Sequence, residues 1–171
     1  MSVTHIQQAI ENVITYLSEN PEECRYTDSA ATAVVEEGLR CRAEGPRGAT
    51  LITDMPKGIG GGNAAPSPGW FFRAALATCY ATLIAMRAAQ LGVALSTLAV
   101  TVDSESDDRG ILGMDNTIAA GPLSVRTRIR IGAEEIAPER LREIVNWAQA
   151  HCPVADAIQR AVPSKTEVEI A

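Results

Sequence analysis

The sequence predicts a single-domain α+β protein, and three observations support this fold class. A chain of 171 residues has the length of one domain that can bury a core without disulfides or metal ions. Segments with helical spacing of apolar residues are interspersed with segments in which apolar and polar residues alternate. Consecutive strand-like segments are joined by short turns, which favours antiparallel pairing and an α+β arrangement.

Composition and charge argue against two classes of partner for this chain. The formal net charge is −6 and the basic residues are scattered, so we expect no nucleic-acid partner. The most apolar stretch, Ala74–Met86, lies between Arg73 and Arg87 and is shorter than the roughly 20 residues that cross a bilayer. We therefore expect no membrane association, and because the start of the sequence lacks a secretory signal pattern, we expect a cytoplasmic protein.

The cysteine and histidine pattern argues against a metal site. No Cys-x-x-Cys pair is present, and the two histidines, His5 and His151, are far apart in sequence. In a reducing compartment we expect free or redox-active thiols, and we expect no bound metal. The four cysteines are Cys24, Cys41, Cys79 and Cys152.

The first third of the chain predicts a helix followed by a hairpin. Apolar residues recur at helical spacing between positions 6 and 17, opposite a polar face, and Asn20 marks the end of this amphipathic helix. Alternation over Thr32–Glu44 predicts one strand. The turn sequence Gly45–Gly48 then predicts a hairpin to a second strand at Ala49–Asp54.

A long helix is predicted in the middle of the chain. It follows a glycine-rich segment, residues 57–63, that lacks the residues of a phosphate-binding loop and that we interpret as a flexible connection. Ser67 can cap the helix and Pro68 can occupy its first position, while Gly92 marks its end after about Leu91. Because this helix is apolar nearly all round, we expect it to be buried.

The remainder of the chain predicts five further elements. They are strands at 95–106 and 122–132, helices from Pro138 to His151 and from Pro153 to about Ala161, and a closing strand at Lys165–Ile170. The second of these strands alternates strictly, and we interpret its arginine row as a solvent-exposed face.

Two thiols are candidates for chemistry, and their local surroundings differ. Cys79 lies in the middle of the predicted long helix among alanine and leucine, where cysteine is most often a small apolar packing residue. Cys152 lies where one helix ends and Pro153 begins the next, so backbone N–H groups and the helix dipole would lower the pKa of its thiol. On local sequence alone Cys152 is the better redox candidate, although a purely structural role at the helix boundary stays open.

Two segments resemble one known protein family. The stretch Pro66–Cys79, together with the His-Cys-Pro-Val run at 151–154, resembles the OsmC/Ohr family of thiol-dependent hydroperoxide reductases. The resemblance covers roughly residues 32–170. It divides the chain into an N-terminal amphipathic helix extension at 1–24 and an OsmC-like domain at 25–171.

The resemblance implies a fold, an assembly and a reaction. The fold has antiparallel sheets around a long buried central helix, in an intertwined homodimer with the thiols at the subunit interface. By position Cys79 matches the peroxidatic cysteine, which attacks the peroxide and becomes a sulfenic acid, and Cys152 matches the resolving cysteine. A cysteine-based peroxidase of this kind defends against oxidative stress. It acts on small organic hydroperoxides and needs an external dithiol reductant but no bound cofactor.

The chain departs from the family pattern at the start of the long helix. Peroxidatic members carry there an acidic residue that orients an arginine, whereas this chain has Gly69 and Trp70. Of the arginines near the first strands, Arg40, Arg42 and Arg47, we select Arg40 as the candidate activating residue. The departure leaves a second hypothesis open, a non-peroxidatic relative that binds a small apolar ligand at the dimer interface or acts as a slow thiol redox sensor. A third is a dimerisation module that uses the N-terminal helix.

Overall fold

The computed structural model describes residues 3–170, so the outer ends of the two predicted ranges, 1–24 and 25–171, lie outside the described residues. Five α-helices and five β-strands are found there. The helices are α1 (Val3–Glu19), α2 (Pro68–Gln90), α3 (Asp108–Ile111), α4 (Pro138–His151) and α5 (Pro153–Gln159). The strands are β1 (Thr32–Glu37), β2 (Arg40–Glu44), β3 (Thr50–Thr53), β4 (Leu95–Glu105) and β5 (Ser124–Ala133). The predicted α+β class is confirmed.

Helix α2 has the ends that the sequence predicts. The Ser67 hydroxyl accepts a hydrogen bond from the Trp70 N–H at 3.3 Å, and Pro68 occupies the first helical position, where its missing N–H costs nothing. At the other end Gly92 adopts a left-handed conformation with φ of 68°, which glycine tolerates because it has no Cβ. Local sequence signals therefore fix the length of the central helix.

The strands form two separate antiparallel sheets, one of β1–β2–β3 and one of β4–β5. The predicted hairpin between β2 and β3 is confirmed. The prediction of one strand over Thr32–Glu44 is wrong, because the chain reverses at Gly38 and the two halves pair with each other, with Val35 opposite Cys41. Gly38 has φ of 56°, a left-handed conformation that glycine adopts without strain, and it lies in the turn between β1 and β2.

The predicted closing strand at Lys165–Ile170 is also wrong for this chain. Those residues pair with no strand in the part of the chain that the structure describes. Val168 is 81% exposed and Ile170 is 92% exposed. An extended segment becomes a strand only when a sheet edge supplies hydrogen bonds, and none of the described edges pairs with it.

The main core lies where the β4–β5 sheet packs against α2 and α4. Its fully buried members come from both helices and from the connection that enters β4. They are Ile84, Ala88, Val93, Ile144 and Ala148. On the other face of β5 the predicted arginine row is exposed, and Asp103 of β4 pairs with Arg126 at 2.9 Å and with Arg128 at 2.7 Å.

Helix α2 is central but only partly covered. It contacts β4 and the helices α1, α4 and α5, yet only five of its 23 residues are buried, and one of its sides faces outward. By length and composition alone α2 could cross a membrane. The helix has 23 residues and is therefore longer than the apolar stretch Ala74–Met86 on which the sequence-based expectation rested. This is weak evidence for a membrane span, since the core helix of a soluble protein passes the same test.

Candidate functional site

Two cysteines that are distant in sequence meet in a second, smaller core cluster. Cys79 comes from the middle of α2 and Cys152 from the junction between α4 and α5, and the two side chains pack in the same cluster as neighbours. Leu76, Tyr80 and Ala155 complete the buried part of this cluster, which we call the thiol cluster. Cys152 is 1% exposed and Cys79 is partly buried, so the structure brings together the two cysteines that the sequence singled out.

The two helices fix the positions of the thiols. Cys152 ends α4 with an extended backbone, and Pro153 then begins α5 in a new direction. The Cys152 carbonyl accepts the first hydrogen bond of α5 from the Asp156 N–H at 2.9 Å. In α2, Leu76 and Tyr80 lie one turn apart on one face, and this face carries the neighbouring Cys79 toward the helix junction.

The pKa of Cys152 is raised, so the expectation of a lowered value is wrong. Burial of the thiol is the largest cause, because it penalises the charged form, and contact with the Cys79 thiol acts in the same direction. The N–H groups of Ala155 and Val154 at the start of α5 do lower the pKa, as the sequence predicts. Desolvation is the larger effect, and the sequence could not reveal it.

Tyr80 is a further member of the site that the sequence analysis did not single out. Burial raises the pKa of its phenol, and the two neighbouring thiols add to this effect. An open cavity of about 380 Å³ lies beside Tyr80 and the thiol cluster. Its wall is mixed, with polar residues such as Ser124 and Gln159 beside the apolar side chains of Leu76, Leu123, Val125 and Ile158. The sequence signal that could have identified Tyr80 as a site residue was its position next to Cys79 and one helical turn after Leu76.

Arg40 lies away from the thiols in the described chain. Its Nε is 3.1 Å from a Glu36 carboxylate oxygen, and Arg42 shares the same carboxylate at 2.7 Å. The strands β1, β2 and β3 pack chiefly on one another, so this sheet stands apart from α2. The activating role of Arg40 therefore stays a prediction. The alternative Arg47 sits in the exposed β2–β3 turn.

The first turns of α2 contain one cationic side chain, Arg73, and no carboxylate. Gly69 and Trp70 are exposed there, and the Arg73 guanidinium donates a hydrogen bond to the Ser104 hydroxyl at 3.2 Å. Among residues 3–170 no carboxylate lies within 4 Å of Arg73. Gly69 and Trp70, the positions at this helix start where the resemblance implies an acid, supply no carboxylate.

A buried carboxylate instead organises the loop that precedes α2. Asp54 is 2% exposed and accepts backbone hydrogen bonds from Met55 at 2.7 Å, Gly62 at 3.3 Å and Ala64 at 2.9 Å. The bond from Ala64 is the largest cause of a lowered pKa for this carboxyl group, and Arg40 contributes its charge. The glycine-rich segment is thus wrapped around Asp54, whereas the sequence suggested a flexible connection.

The described residues contain no group of three or more His, Cys, Asp or Glu side chains placed to hold a metal ion. His151 is engaged elsewhere. Its Nδ1 lies 2.7 Å from the Trp147 carbonyl oxygen, and its ring stacks on the Trp147 indole with a centroid distance of 4.2 Å. The reactive groups that the structure gathers at this site are the two thiols and the Tyr80 phenol.

The protein is an α+β protein with two antiparallel sheets, and its central helix contributes to a cluster that contains two thiols. Residues 60–167 match the family model described as OsmC-like protein. The chain therefore belongs to the OsmC-like family. No curated protein matches the chain at a significant level.

Solved structures of OsmC and Ohr proteins share this fold. An OsmC-like protein from Mycoplasma pneumoniae superposes with a TM-score of 0.65 at 16% identity, covering 79% of this chain and 89% of that one. An organic hydroperoxide resistance protein OsmC from Legionella pneumophila gives 0.56 at 21% identity, covering 78% and 90%. The organic hydroperoxide resistance protein OhrB of Bacillus subtilis gives 0.51 at 18% identity, covering 78% and 91%.

Proposed function

We propose that this protein reduces organic hydroperoxides with Cys79 as the peroxidatic cysteine and Cys152 as the resolving cysteine. The observation that carries the proposal is the contact between the two thiols inside one apolar cluster, across more than 70 residues of sequence. Membership of the OsmC-like family supports it, as does the likeness of the fold to organic hydroperoxide resistance proteins. We place the reaction in the cytosol, as a defence against oxidative stress.

The reaction balances with one peroxide and one external dithiol. The Cys79 thiolate attacks the terminal peroxide oxygen, the O–O bond breaks, and the alcohol leaves after taking up a proton, so that Cys79 becomes a sulfenic acid. Cys152 then attacks this sulfur, water leaves, and a Cys79–Cys152 disulfide forms. A dithiol reduces the disulfide and restores both thiols. The partly buried Cys79 faces the peroxide in this scheme, while the fully buried Cys152 stays behind it.

We propose that the working form is a homodimer. The accessible surface of the chain is 12528 Å², whereas a compact monomer of this mass would expose roughly 8,100 Å². The excess is consistent with a chain that shares a large interface, and the isolated β1–β3 sheet accounts for part of it. Arg40, which lies on that sheet, would then approach Cys79 of a second copy, where its charge would favour the thiolate.

The test uses the reduced protein and one equivalent of cumene hydroperoxide. We expect both thiols to disappear with release of cumyl alcohol, and we expect peptide mass mapping to find a Cys79–Cys152 disulfide. Cys152→Ser should stop at a sulfenic acid on Cys79 that dimedone traps, whereas Cys79→Ser should consume no peroxide. Cys24→Ser and Cys41→Ser serve as matched controls, because neither cysteine belongs to the thiol cluster. Survival of both thiols, while a known peroxidase is oxidised under the same conditions, would refute the proposal.

The second candidate function is binding of a small apolar ligand, with the thiols as packing groups or as a slow redox sensor. The cavity beside Tyr80 favours it, as do the raised pKa of Cys152 and the missing carboxylate at Gly69 and Trp70. A fluorescent apolar probe distinguishes the two functions. In the binding function Cys79→Ser retains probe affinity while Val125→Asp, in the cavity wall, abolishes it. A Cys79 thiol that reacts with peroxide much faster than free cysteine does would argue against this function.

A further inference from the structure

We propose that the apolar side of α1, together with Met86 of α2, is an additional contact surface for a second copy of this chain. This inference rests on the proposed homodimer but concerns a segment outside the residues that the family model matches. Helix α1 lies outside the matched residues 60–167. We call the surface formed by α1 and Met86 the α1 groove.

Helix α1 is amphipathic but has no buried residue. Val13 is 55% exposed and Ile14 is 53% exposed, although both lie on its apolar side. A helix of 17 residues is marginal in water by itself and gains most of its stability by burying its apolar face. In the described chain that burial is incomplete, so α1 presents apolar surface that a partner can cover.

The α1 groove is a formed surface between two helices. The Gln7 side-chain amide donates a hydrogen bond to the Gln90 carbonyl at 3.5 Å, which ties α1 to the C-terminal end of α2. Beside this contact lies an open, almost wholly apolar cavity of about 350 Å³. Its lining residues are His5, Ile6, Ala9, Ile10, Val13, Ile14 and Met86.

The groove is continuous with the uncovered side of α2. Ala75, Thr78 and Thr82 are exposed and follow one another at three- and four-residue spacing, so they form one row along that helix. The same spacing leads from Thr82 to Met86, which lies in the groove. Small side chains in such a row allow another helix to approach closely. One surface therefore runs from the middle of α2 onto α1.

The large accessible surface of the chain favours a second copy as the partner that covers the α1 groove. The chain exposes roughly 4,400 Å² more than a compact monomer of its mass, which exceeds the share that one subunit contributes to an obligate dimer interface. In a dimer with a twofold axis the same patch is used by both subunits, so one surface that includes α2 and α1 can be covered on both copies at once. The almost wholly apolar lining of the groove suits this self-association better than binding of a charged partner.

The test compares Val13→Asp with Thr15→Asp in the full-length protein. Both substitutions place a carboxylate on an exposed β-branched position near the end of α1, but position 15 lies on the opposite face of the helix. We expect Val13→Asp to raise the dimer dissociation constant, measured by sedimentation over a range of concentrations, by about tenfold or more. Thr15→Asp should leave it within about twofold of the unmodified protein.

The outcomes separate this inference from the proposed dimer. A wild-type protein that is monomeric at all concentrations overturns both proposals. A dimeric wild type with the same dissociation constant in Val13→Asp overturns the α1 inference alone. If circular dichroism shows that Val13→Asp has lost helix, Val13→Ser, which removes apolar surface without adding charge, decides the question. An unchanged dissociation constant for this folded variant also overturns the inference.

Discussion

The guanidinium of Arg87 lies over the indole of Trp147, with the guanidinium carbon 4.9 Å from the ring centroid. The indole also stacks on the His151 ring at an interplanar angle of 13°. Arg87 belongs to α2, the helix that carries Cys79, and His151 ends α4 immediately before Cys152. These three stacked side chains therefore join the two elements that hold the thiols.

Removal of the cation from this stack should destabilise the contact between α2 and α4. Arg87→Met keeps an unbranched apolar chain over the indole but removes its charge, and cation–π contacts contribute about 0.5–1 kcal/mol. We expect a loss of that size in the free energy of urea unfolding, measured at fixed protein concentration. Arg142→Met, on the exposed side of α4, is the control and should change stability by less. Equal effects from the two variants would contradict the prediction.

The stability of the protein should fall at alkaline pH because of Cys152. Burial raises the pKa of this thiol in the folded state, so its contribution to stability is complete below the unfolded value of about 8.5. That contribution is lost as pH rises through the folded pKa, and Tyr80 adds an effect of the same sign at higher pH. Urea unfolding at about pH 7.5 and about pH 9.5, on either side of the unfolded pKa, measures the change.

The control for this pH dependence is a pair of cysteine variants. Cys152→Ala removes the buried thiol, so its stability should change less between the two pH values than that of the wild type. Cys24→Ala removes an exposed cysteine and should keep the wild-type dependence. A Cys152→Ala variant with the full alkaline loss would show that another group is responsible.

Two glycines of one loop should respond differently to alanine. A Cβ at Gly61 would lie 1.9 Å from the Met55 carbonyl oxygen, whereas a Cβ at Gly58 meets no atom within 4 Å. We expect Gly61→Ala to force the loop away from Asp54 and to cost roughly 1–3 kcal/mol, as overpacked positions do. Limited proteolysis of the loop and thermal unfolding measure this effect. Comparable values for Gly58→Ala and Gly61→Ala would show that the loop does not need this close approach.

Arg40 and Arg42 should contribute unequally to the proposed reaction. Both pair with Glu36, but the charge of Arg40 also acts on Asp54. We expect Arg40→Gln to lower the second-order rate constant with cumene hydroperoxide by about tenfold or more, because a positioned cation stabilises the attacking thiolate. Arg42→Gln is the matched control and should stay within about threefold of wild type. Equal rate constants for the two variants would show that Arg40 does not activate Cys79.

Local signals account for the parts of the fold that the sequence predicted well. The cap at Ser67, the proline that follows it and the left-handed Gly92 each act within a few residues, so they fix α2 from sequence alone. The strict alternation of β5 likewise fixed which residues face outward. The reversal at Gly38 was missed because the alternation from Leu39 to Glu44 does not show where that strand begins, and the pairing of β1 with β2 is what reveals the turn.

The candidate site depends on contacts that no local pattern contains. Local sequence singled out both thiols and the family resemblance assigned their roles. The direction of the Cys152 pKa shift, however, follows from packing by Leu76, Tyr80 and Ala155 that only the folded chain provides. The role of Asp54 was missed for the same reason, because its hydrogen-bond donors lie up to ten residues away in a loop without periodicity.

The adjacency of the two thiols has a thermodynamic consequence. A bond between positions 79 and 152 would close a loop of roughly 70 residues, and the chain-entropy relation assigns such a cross-link about 4 kcal/mol of stabilisation. The melting temperature of the protein would then rise on oxidation and fall on reduction. A thermal-shift measurement would therefore report the redox state of the pair, and the oxidised protein would populate its unfolded state less.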